Sequence, residues 1–348
     1  MRKLITFIFL FACNYAIFGQ NESVIVVSTT QQQAAHSFNQ AFSFYQQQKY
    51  DTALVYINNT LKFDSQMEEA YVLKGNIQQE MGQLQDAIMT WLAFAQKTGK
   101  KDSAYYMVSK LYFDDKNYDL SLQYAQMAID IDKSDYKTHY LKGLSNYNLK
   151  KYEDAINDFT TAINLKETIA ELYNDRGNTY YKMKDFQLAI EDYTQAIRLK
   201  SIYPYYYNRA NAEFHSEEFQ KAIDDYTTAI QLDKNNYQLY CNRGIAKLAL
   251  GDLYEALEDF HTCILINNKF PQGYDYRGLV YFRLKRYEDA LNDFNKVLNL
   301  DPEAAQTYLH RGNTYEMLRQ PQKACQDWQQ AATKGIKEAQ EYINNQCK

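Results

Sequence analysis

At 348 residues, with 46% hydrophobic and 23% charged positions, the chain has the composition of an ordinary water-soluble protein. Its 33 Tyr stand against only 12 Gly and 4 Pro. That is too few for the strands, tight turns and phosphate loops of a compact enzyme, and it favours helices joined by short connections. The formal charge is −5, two units lower once Arg2 and Lys3 leave with an export signal, and no run of Lys or Arg offers the basic face that nucleic acid needs.

Met1, Arg2 and Lys3 precede an apolar run from Leu4 to Ala12 and a softer stretch to Phe18, the charged-then-apolar order of a secretory signal peptide. The run is too short to span a bilayer. Cleavage after Gly19 makes 1–19 the signal and leaves Gln20 at the new terminus. The rival reading is Leu10-Phe11-Ala12-Cys13, which resembles a bacterial lipoprotein box and would anchor the chain through a lipid on Cys13. Either route places the protein in the periplasm, at the envelope or outside the cell, with no transmembrane span after signal removal. Residues 20–33 hold Val24 to Val27 and then Gln31 to Gln33, fit no helical period, and are expected to form a flexible leader.

From residue 34 the sequence repeats itself. A small residue recurs at Ala41, Gly75, Ser109, Gly143, Gly177, Ala210, Gly244, Gly278 and Gly312, at intervals of 34 residues except for 33 between Gly177 and Ala210. Twelve residues after each comes a second small residue: Ala53, Ala87, Ser121, Ala155, Ala189, Ala222, Ala256, Ala290 and Ala324. Nine units follow, over 34–67, 68–101, 102–135, 136–169, 170–202, 203–236, 237–270, 271–304 and 305–336, the short interval falling in the loop Arg198 to Tyr203, where a change of length disturbs packing least. Within a unit the apolar spacing is helical, as in Tyr173, Gly177 and Tyr180, then Ala189, Tyr193, Ala196 and Ile197. Each unit therefore reads as two antiparallel helices. Such helices approach closely only where side chains are short, and a large neighbour fills the adjoining groove. The neighbours are Trp91, Phe159, Tyr193, Tyr226, Phe260, Phe294 and Trp328.

The stretch Tyr173-Asn-Asp-Arg-Gly-Asn-Thr-Tyr180, with Asp185-Phe-Gln-Leu-Ala-Ile190 and Ala196, resembles the tetratricopeptide repeat, and the likeness extends over the nine units. It implies an all-α chain: a right-handed superhelical solenoid of nine hairpins plus a C-terminal capping helix at 337–348. It also implies that the first helix of each hairpin lines a concave surface that holds a protein or peptide ligand. Two departures matter. The usual Pro at a unit's end survives only as Pro302, and Phe94 replaces a small residue, so the junction of the second and third units is expected to be looser than the rest. The segment from Lys323 through Trp328 and Gly335 to Cys347 resembles the closing repeat of secreted bacterial members of this family, and its last helix carries Glu338, Glu341, Asn344 and Asn345, which suit a polar cap.

Five units place Arg before the small residue and Asp sixteen residues later: Arg176/Asp192, Arg209/Asp225, Arg243/Asp259, Arg277/Asp293 and Arg311/Asp327, with Lys142/Asp158 as a sixth version. The two positions lie at one height on the paired helices, and the recurrence of both charges points to an internal ion pair that fixes hairpin register. The five His fall in five different units without metal-ligand spacing, and there is no phosphate loop, Ser elbow or Cys/His nucleophile. No catalytic residue, cofactor or metal is expected, and an enzyme reading is disfavoured. Among the cysteines, Cys325 and Cys347 are level across the turn at Gly335 and are a candidate disulfide; Cys241 and Cys263 are a weaker candidate pair, Cys263 standing where other units have Ala.

By the resemblance, the groove is lined three before, one after and four after the small position, by Phe38, Phe42, Tyr106, Phe113, Tyr140, Tyr147, Asn174, Asn178, Tyr181, Tyr207, Asn211 and Phe214. The surface is aromatic and amide-rich, suited to a protein or peptide ligand. No Lys occupies the position three before the small residue, which disfavours the acidic chaperone tails that some family members hold. The functional expectation is an exported interaction scaffold, with a lipid-anchored assembly factor of an envelope complex as the alternative.

Overall fold

The computed structural model describes residues 29–347, and among these every regular element is a helix. The expected export signal, Cys13 and residues 20–28 of the expected leader lie outside the described residues. The remainder of that leader is not irregular: α1 (Thr29–Gln46) begins at Thr29, because Gln31 to Ala35 are good helix formers and Ala34 and Ser37 are buried, anchoring the first turns.

The chain divides between Gly99 and Lys100 into two compact units, at the junction of the second and third repeats. The first unit holds hairpin 1, α1 with α2 (Tyr50–Phe63), and hairpin 2, α3 (Glu68–Glu80) with α4 (Leu84–Thr98). Its core joins Ala41, Ala53 and Ile57 to Ala70, Leu73 and Ile77. In α4, Phe94 is buried in its own hairpin, edge-on to Trp91 at 5.5 Å and Tyr71 at 5.8 Å.

The second unit stacks seven hairpins. They are α5 (Lys101–Asp114) with α6 (Tyr118–Ile129), α7 (Tyr136–Asn148) with α8 (Tyr152–Leu165), α9 (Ala170–Met183) with α10 (Phe186–Leu199), and α11 (Tyr203–His215) with α12 (Phe219–Leu232). Then come α13 (Tyr237–Leu250) with α14 (Leu253–Ile266), α15 (Pro271–Arg283) with α16 (Tyr287–Leu300), and α17 (Ala305–Met317) with α18 (Pro321–Thr333). Each hairpin packs on the next, and consecutive first helices touch, which is the layout of a repeat solenoid. Helix α19 (Lys337–Gln346) closes the end, and the disulfide Cys325–Cys347, with Cα atoms 5.7 Å apart, ties it to α18. Cys241 and Cys263 are both buried free thiols, so the weaker candidate pair is not bridged.

Two recurring devices shape each hairpin. The first is close approach: a Cβ on Gly177 would come within 2.9 Å of the Tyr193 ring, and the same collision occurs between Gly143 and Phe159 at 2.7 Å and between Gly278 and Phe294 at 2.6 Å. The second is the turn, where the residue seven after the small position adopts a left-handed backbone in all nine hairpins, as Gly only at Gly82 and Gly251 and elsewhere as Gln48, Lys116, Lys150, Lys184, Glu217, Lys285 and Arg319. The backbone bonds Lys184 N–H to Tyr181 O and Asp185 N–H to Tyr180 O, at 3.0 and 2.9 Å, satisfy the carbonyls this turn would otherwise orphan.

A third device links hairpins. Arg176 forks onto Asp192 through Nε and Nη2 at 2.8 and 2.7 Å, while its Nη1 donates to Thr160 Oγ1 of the preceding hairpin at 2.9 Å. The arrangement recurs at Arg209 with Asp225 and Thr194, Arg243 with Asp259 and Thr227, Arg277 with Asp293 and His261, and Arg311 with Asp327 and Asn295. Each guanidinium also lies over a Tyr three residues earlier: Tyr173, Tyr206, Tyr240, Tyr274 or Tyr308. Burial pushes the Asp192 and Asp293 carboxyls up, and the Arg fork opposes it. In hairpin 4 Lys142 replaces Arg, at 3.2 Å from Asp158, and Asn146 supplies the second donor at 2.8 Å.

Replacing Gly177 by Leu should lower stability by roughly 2 kcal/mol or more, since the added side chain must displace the Tyr193 ring or part the helices. A thermal melt checks this, and an unchanged transition would show that close approach does not set the packing.

Candidate functional site

In the first unit, the first helices present a groove of about 520 Å³ lined by Phe38, Phe42, Tyr45, Glu68, Glu69, Val72, Leu73 and Asn76. The sequence-expected Phe38 and Phe42 meet here. Phe42 and Val72 are each 40% exposed, so the floor is apolar surface left open by the packing of α1 on α3.

In the second unit, four residues three before the small position, Tyr140, Asn174, Tyr207 and Asp275, bond to the next hairpin. Tyr140 donates its hydroxyl to Asp175 Oδ2, and Tyr207 Oη accepts from Asn242 Nδ2 at 3.2 Å. Burial raises the Asp175 carboxyl, against the bonds from Tyr140, Asn174 and Asn178 that favour its charged form. Burial likewise raises the hydroxyl of Tyr106, aided by Asp135. These rings looked free for a ligand in the sequence, yet Tyr140 and Tyr207 bridge hairpins.

An amide row runs alongside. Asn174 and Asn178 donate to Asp175 Oδ1 at 2.9 and 3.3 Å. Asn208 Nδ2 spans back to Asn174 Oδ1 and Asn178 Oδ1 at 2.9 and 3.4 Å, and Tyr193 Oη donates to Asn178 Oδ1 at 2.8 Å. One hairpin on, Asn211 Oδ1 accepts from Tyr226 Oη at 2.6 Å and Asn242 Nδ2 at 3.4 Å. A recess of about 160 Å³ opens over this row, lined by Tyr147, Asn178, Tyr181, Lys182, Tyr193, Asn208 and Asn211.

The aromatics four after the small position lock the turns. Phe113 meets Tyr118 at 5.5 Å, Tyr147 meets Tyr152 at 5.8 Å, Tyr181 meets Phe186 at 5.6 Å and Phe214 meets Phe219 at 5.4 Å. Of the twelve expected groove residues, only Tyr147, Asn178, Tyr181 and Asn211 therefore converge in the recess of the second unit. Lys182, Asn208, Asp175 and Asn242 were missed; a recurring polar residue two before the small position, at Asp175, Asn208 and Asn242, was the signal for three of them.

Among the described residues no group of His, Cys, Asp and Glu could hold a metal ion, and no helix is long and apolar enough to cross a membrane. Sequence profiles described as tetratricopeptide repeat match residues 102–135, 170–201, 203–236 and 237–270, and one described as TPR repeat matches 147–184 and 278–318, together more than half of the chain. The chain belongs to the tetratricopeptide repeat family. No curated protein sequence matches it. Among solved structures, the tetratricopeptide repeat chain is similar to the APC/C hetero-tetramer Cut9-Hcn1, with a TM-score of 0.53, 13% identity, and coverage of 94% of this chain and 79% of that one. It is similar also to pilF of Pseudomonas aeruginosa, with a TM-score of 0.52, 16% identity, and coverage of 62% and 98%. YrrB, described as a TPR protein with an unusual peptide-binding site, aligns with a TM-score of 0.47, 20% identity, and coverage of 53% and 95%. These likenesses are of fold.

One buried acid stands apart from the tetratricopeptide pattern. Glu213, 5% exposed, lies on α11 with Oε1 3.9 Å from Arg209 Nε, while its Oε2 has no hydrogen-bond partner. Burial and then the Asp225 charge raise its carboxyl from 4.5 to about 8, against Arg209, with Glu218 adding to the rise and Lys221 opposing it. The folded form therefore keeps a proton that the unfolded chain releases first, so this group's contribution to stability falls as pH rises from about 4.5 to about 8. Glu213→Gln, whose amide can donate toward Asp225, should melt increasingly above the parent between pH 5 and pH 8. A melting-temperature difference that does not change across that window would place the proton elsewhere.

Proposed function

We propose that the protein is an exported protein-interaction scaffold whose first-helix face holds a segment of a partner protein. The observation that carries the reading is the pair Asn208 and Asn211 in the recess. Asn208 spends its Nδ2 on the row and Asn211 spends its Oδ1, so Asn208 Oδ1 and Asn211 Nδ2 make no hydrogen bond among the described residues. One acceptor and one donor, held by neighbours and flanked by the Tyr147 and Tyr181 rings, complement the N–H and C=O of a passing peptide. Because the amides are fixed in advance, little entropy is lost on binding. No catalytic role is assigned to the site. Export is supported by the charged-then-apolar start at Met1 to Phe18 and by the disulfide Cys325–Cys347, a bond that persists in oxidising compartments. The sequence Leu10-Phe11-Ala12-Cys13 supports the second reading, a lipid-anchored assembly factor, and mass spectrometry of the mature N-terminus separates the two.

A photo-crosslinking residue at position 181 should capture the partner from the native envelope fraction, whereas one at position 254, on an exposed second-helix surface, should not. With that partner in hand, Asn211→Asp keeps the acceptor for Tyr226 and Asn242 and replaces the free donor by a charged acceptor oxygen. Its affinity should fall at least tenfold, about 1.4 kcal/mol, with the melting temperature close to that of the parent. Capture only from position 254, or unchanged affinity of the folded variant, would overturn the proposal.

A further inference from the structure

The groove of the first unit differs chemically from the amide recess. Its floor is Phe38, Phe42, Val72 and Leu73, and its lining includes the carboxylates of α3's first turn and no cation. Glu69 stands at one end of α3 and Glu80 at the other, about 16 Å apart at 1.5 Å per residue, with the apolar strip between them. Glu80 is close enough to Tyr45, on the groove wall, to add to the effect of burial in holding the Tyr45 hydroxyl up. Lys74, the one cation on α3, is near Asp86 of α4 and absent from the lining. No ion pair involves Glu69 or Glu80 among the described residues.

Asn76 adds a polar group to this floor that the fold does not use. In hairpin 9 the corresponding pair is bonded, Trp328 Nε1 donating to Asn313 Oδ1 at 2.8 Å. In hairpin 2 the same residue types stand as Trp91 and Asn76, yet the buried Trp91 Nε1 has no acceptor and Asn76 lines the groove, with no side-chain hydrogen bond among the described residues. Its amide is left for whatever lies on the strip.

Resting on the scaffold reading, we infer that this groove takes an amphipathic segment of a partner protein that lays apolar side chains on Phe42 and Val72 and sets Lys or Arg against Glu69 and Glu80. The charge arrangement decides between occupants. An acidic or purely apolar segment leaves two carboxylates facing like charge or covered without a counter-ion, whereas flanking cations are drawn in and fix the direction of the segment. Binding here depends on salt, because the two pairs sit at the exposed rim.

Fluorescence anisotropy on the full mature chain tests this with three labelled peptides of equal length, one of leucine and lysine and one of leucine and glutamate, each ordered to give an amphipathic helix, and one with serine in place of every leucine of the first, which keeps the lysines and lacks the apolar face. The leucine–lysine peptide should bind, and the other two should bind at least tenfold more weakly. Phe42→Ser with Val72→Ser, both surface-reaching positions, should weaken the leucine–lysine peptide at least tenfold with the helical signal retained. Glu69→Gln with Glu80→Gln should weaken it and flatten its salt dependence. Equal binding of the leucine–glutamate peptide would overturn the charge selection, and equal binding of the serine–lysine peptide would reduce it to general attraction by an acidic protein. Loss with Asn211→Asp but not with the Phe42/Val72 variant would keep the scaffold and reject this groove. Failure of the leucine–lysine peptide to bind rejects the inference while leaving the crosslinking result from position 181 to stand or fall by itself.

Discussion

The arginine that precedes the small residue is the constraint from which most of the stack follows. A single hairpin has too little interior to hold a charge out of water, yet Asp192, Asp225, Asp259, Asp293 and Asp327 are all buried. They are tolerable because each accepts a two-pronged bond from an Arg, and the Arg in turn reaches the preceding hairpin. Removing one partner of such a pair leaves an uncompensated buried charge, at a cost of about 3–5 kcal/mol, whereas the intact pair adds little by itself. The effect is one of specificity: a hairpin slid by one helical turn, or stacked the other way round, leaves the guanidinium without Thr160, Thr194 or Thr227.

With the heights so fixed, the first helices can carry a functional surface. The close contacts between glycine and ring bring α9 against α10 until Tyr193 reaches Asn178, and the equivalent approach brings Tyr226 to Asn211. These hydroxyls orient the amides, the amides orient one another across hairpins through Asn208 and Asn242, and two hydrogen-bonding groups are left over. The site is thus a by-product of satisfying buried polar groups, unlike the groove of the first unit, which arises where α1 and α3 leave aromatic and aliphatic surface uncovered.

Much of the architecture was legible because its causes are periodic. A fixed interval between Gly244, Gly278 and Gly312, with rings sixteen residues later, encodes helices that must touch, and paired Arg and Asp at one height encode their alignment. The third partner of each Arg was hidden because the position is filled by Thr160, Thr194, Thr227, His261 and Asn295, alike only in offering an acceptor. The site was read less well for a similar reason. Residue type and position showed that Tyr140 and Tyr207 face the first-helix side, but whether a hydroxyl is spent on Asp175 or Asn242 depends on packing between hairpins, which no single repeat contains. The early start of α1 was missed because polar Gln31 to Gln33 carry no apolar period, though their propensity alone extends the helix.

The arginine links are distributed unevenly along the chain. Hairpins 5 to 9 carry them and the last is stapled by a disulfide, whereas hairpins 1 to 3 have Gln40, Lys74 and Val108 at the corresponding place. Within the second unit, a stack whose cohesion is a sum of nearest-neighbour terms, this sets up a gradient of opening free energy, with hairpin 3 opening first and amide protons protected longest toward α17 and α18. The apolar groove lies in hairpins 1 and 2, which have none of these links, and the amide recess lies in hairpins 4 to 6, where the links begin. The apolar groove is in a part able to yield and remould around a ligand, and the amide recess is in a part that must be matched as it stands.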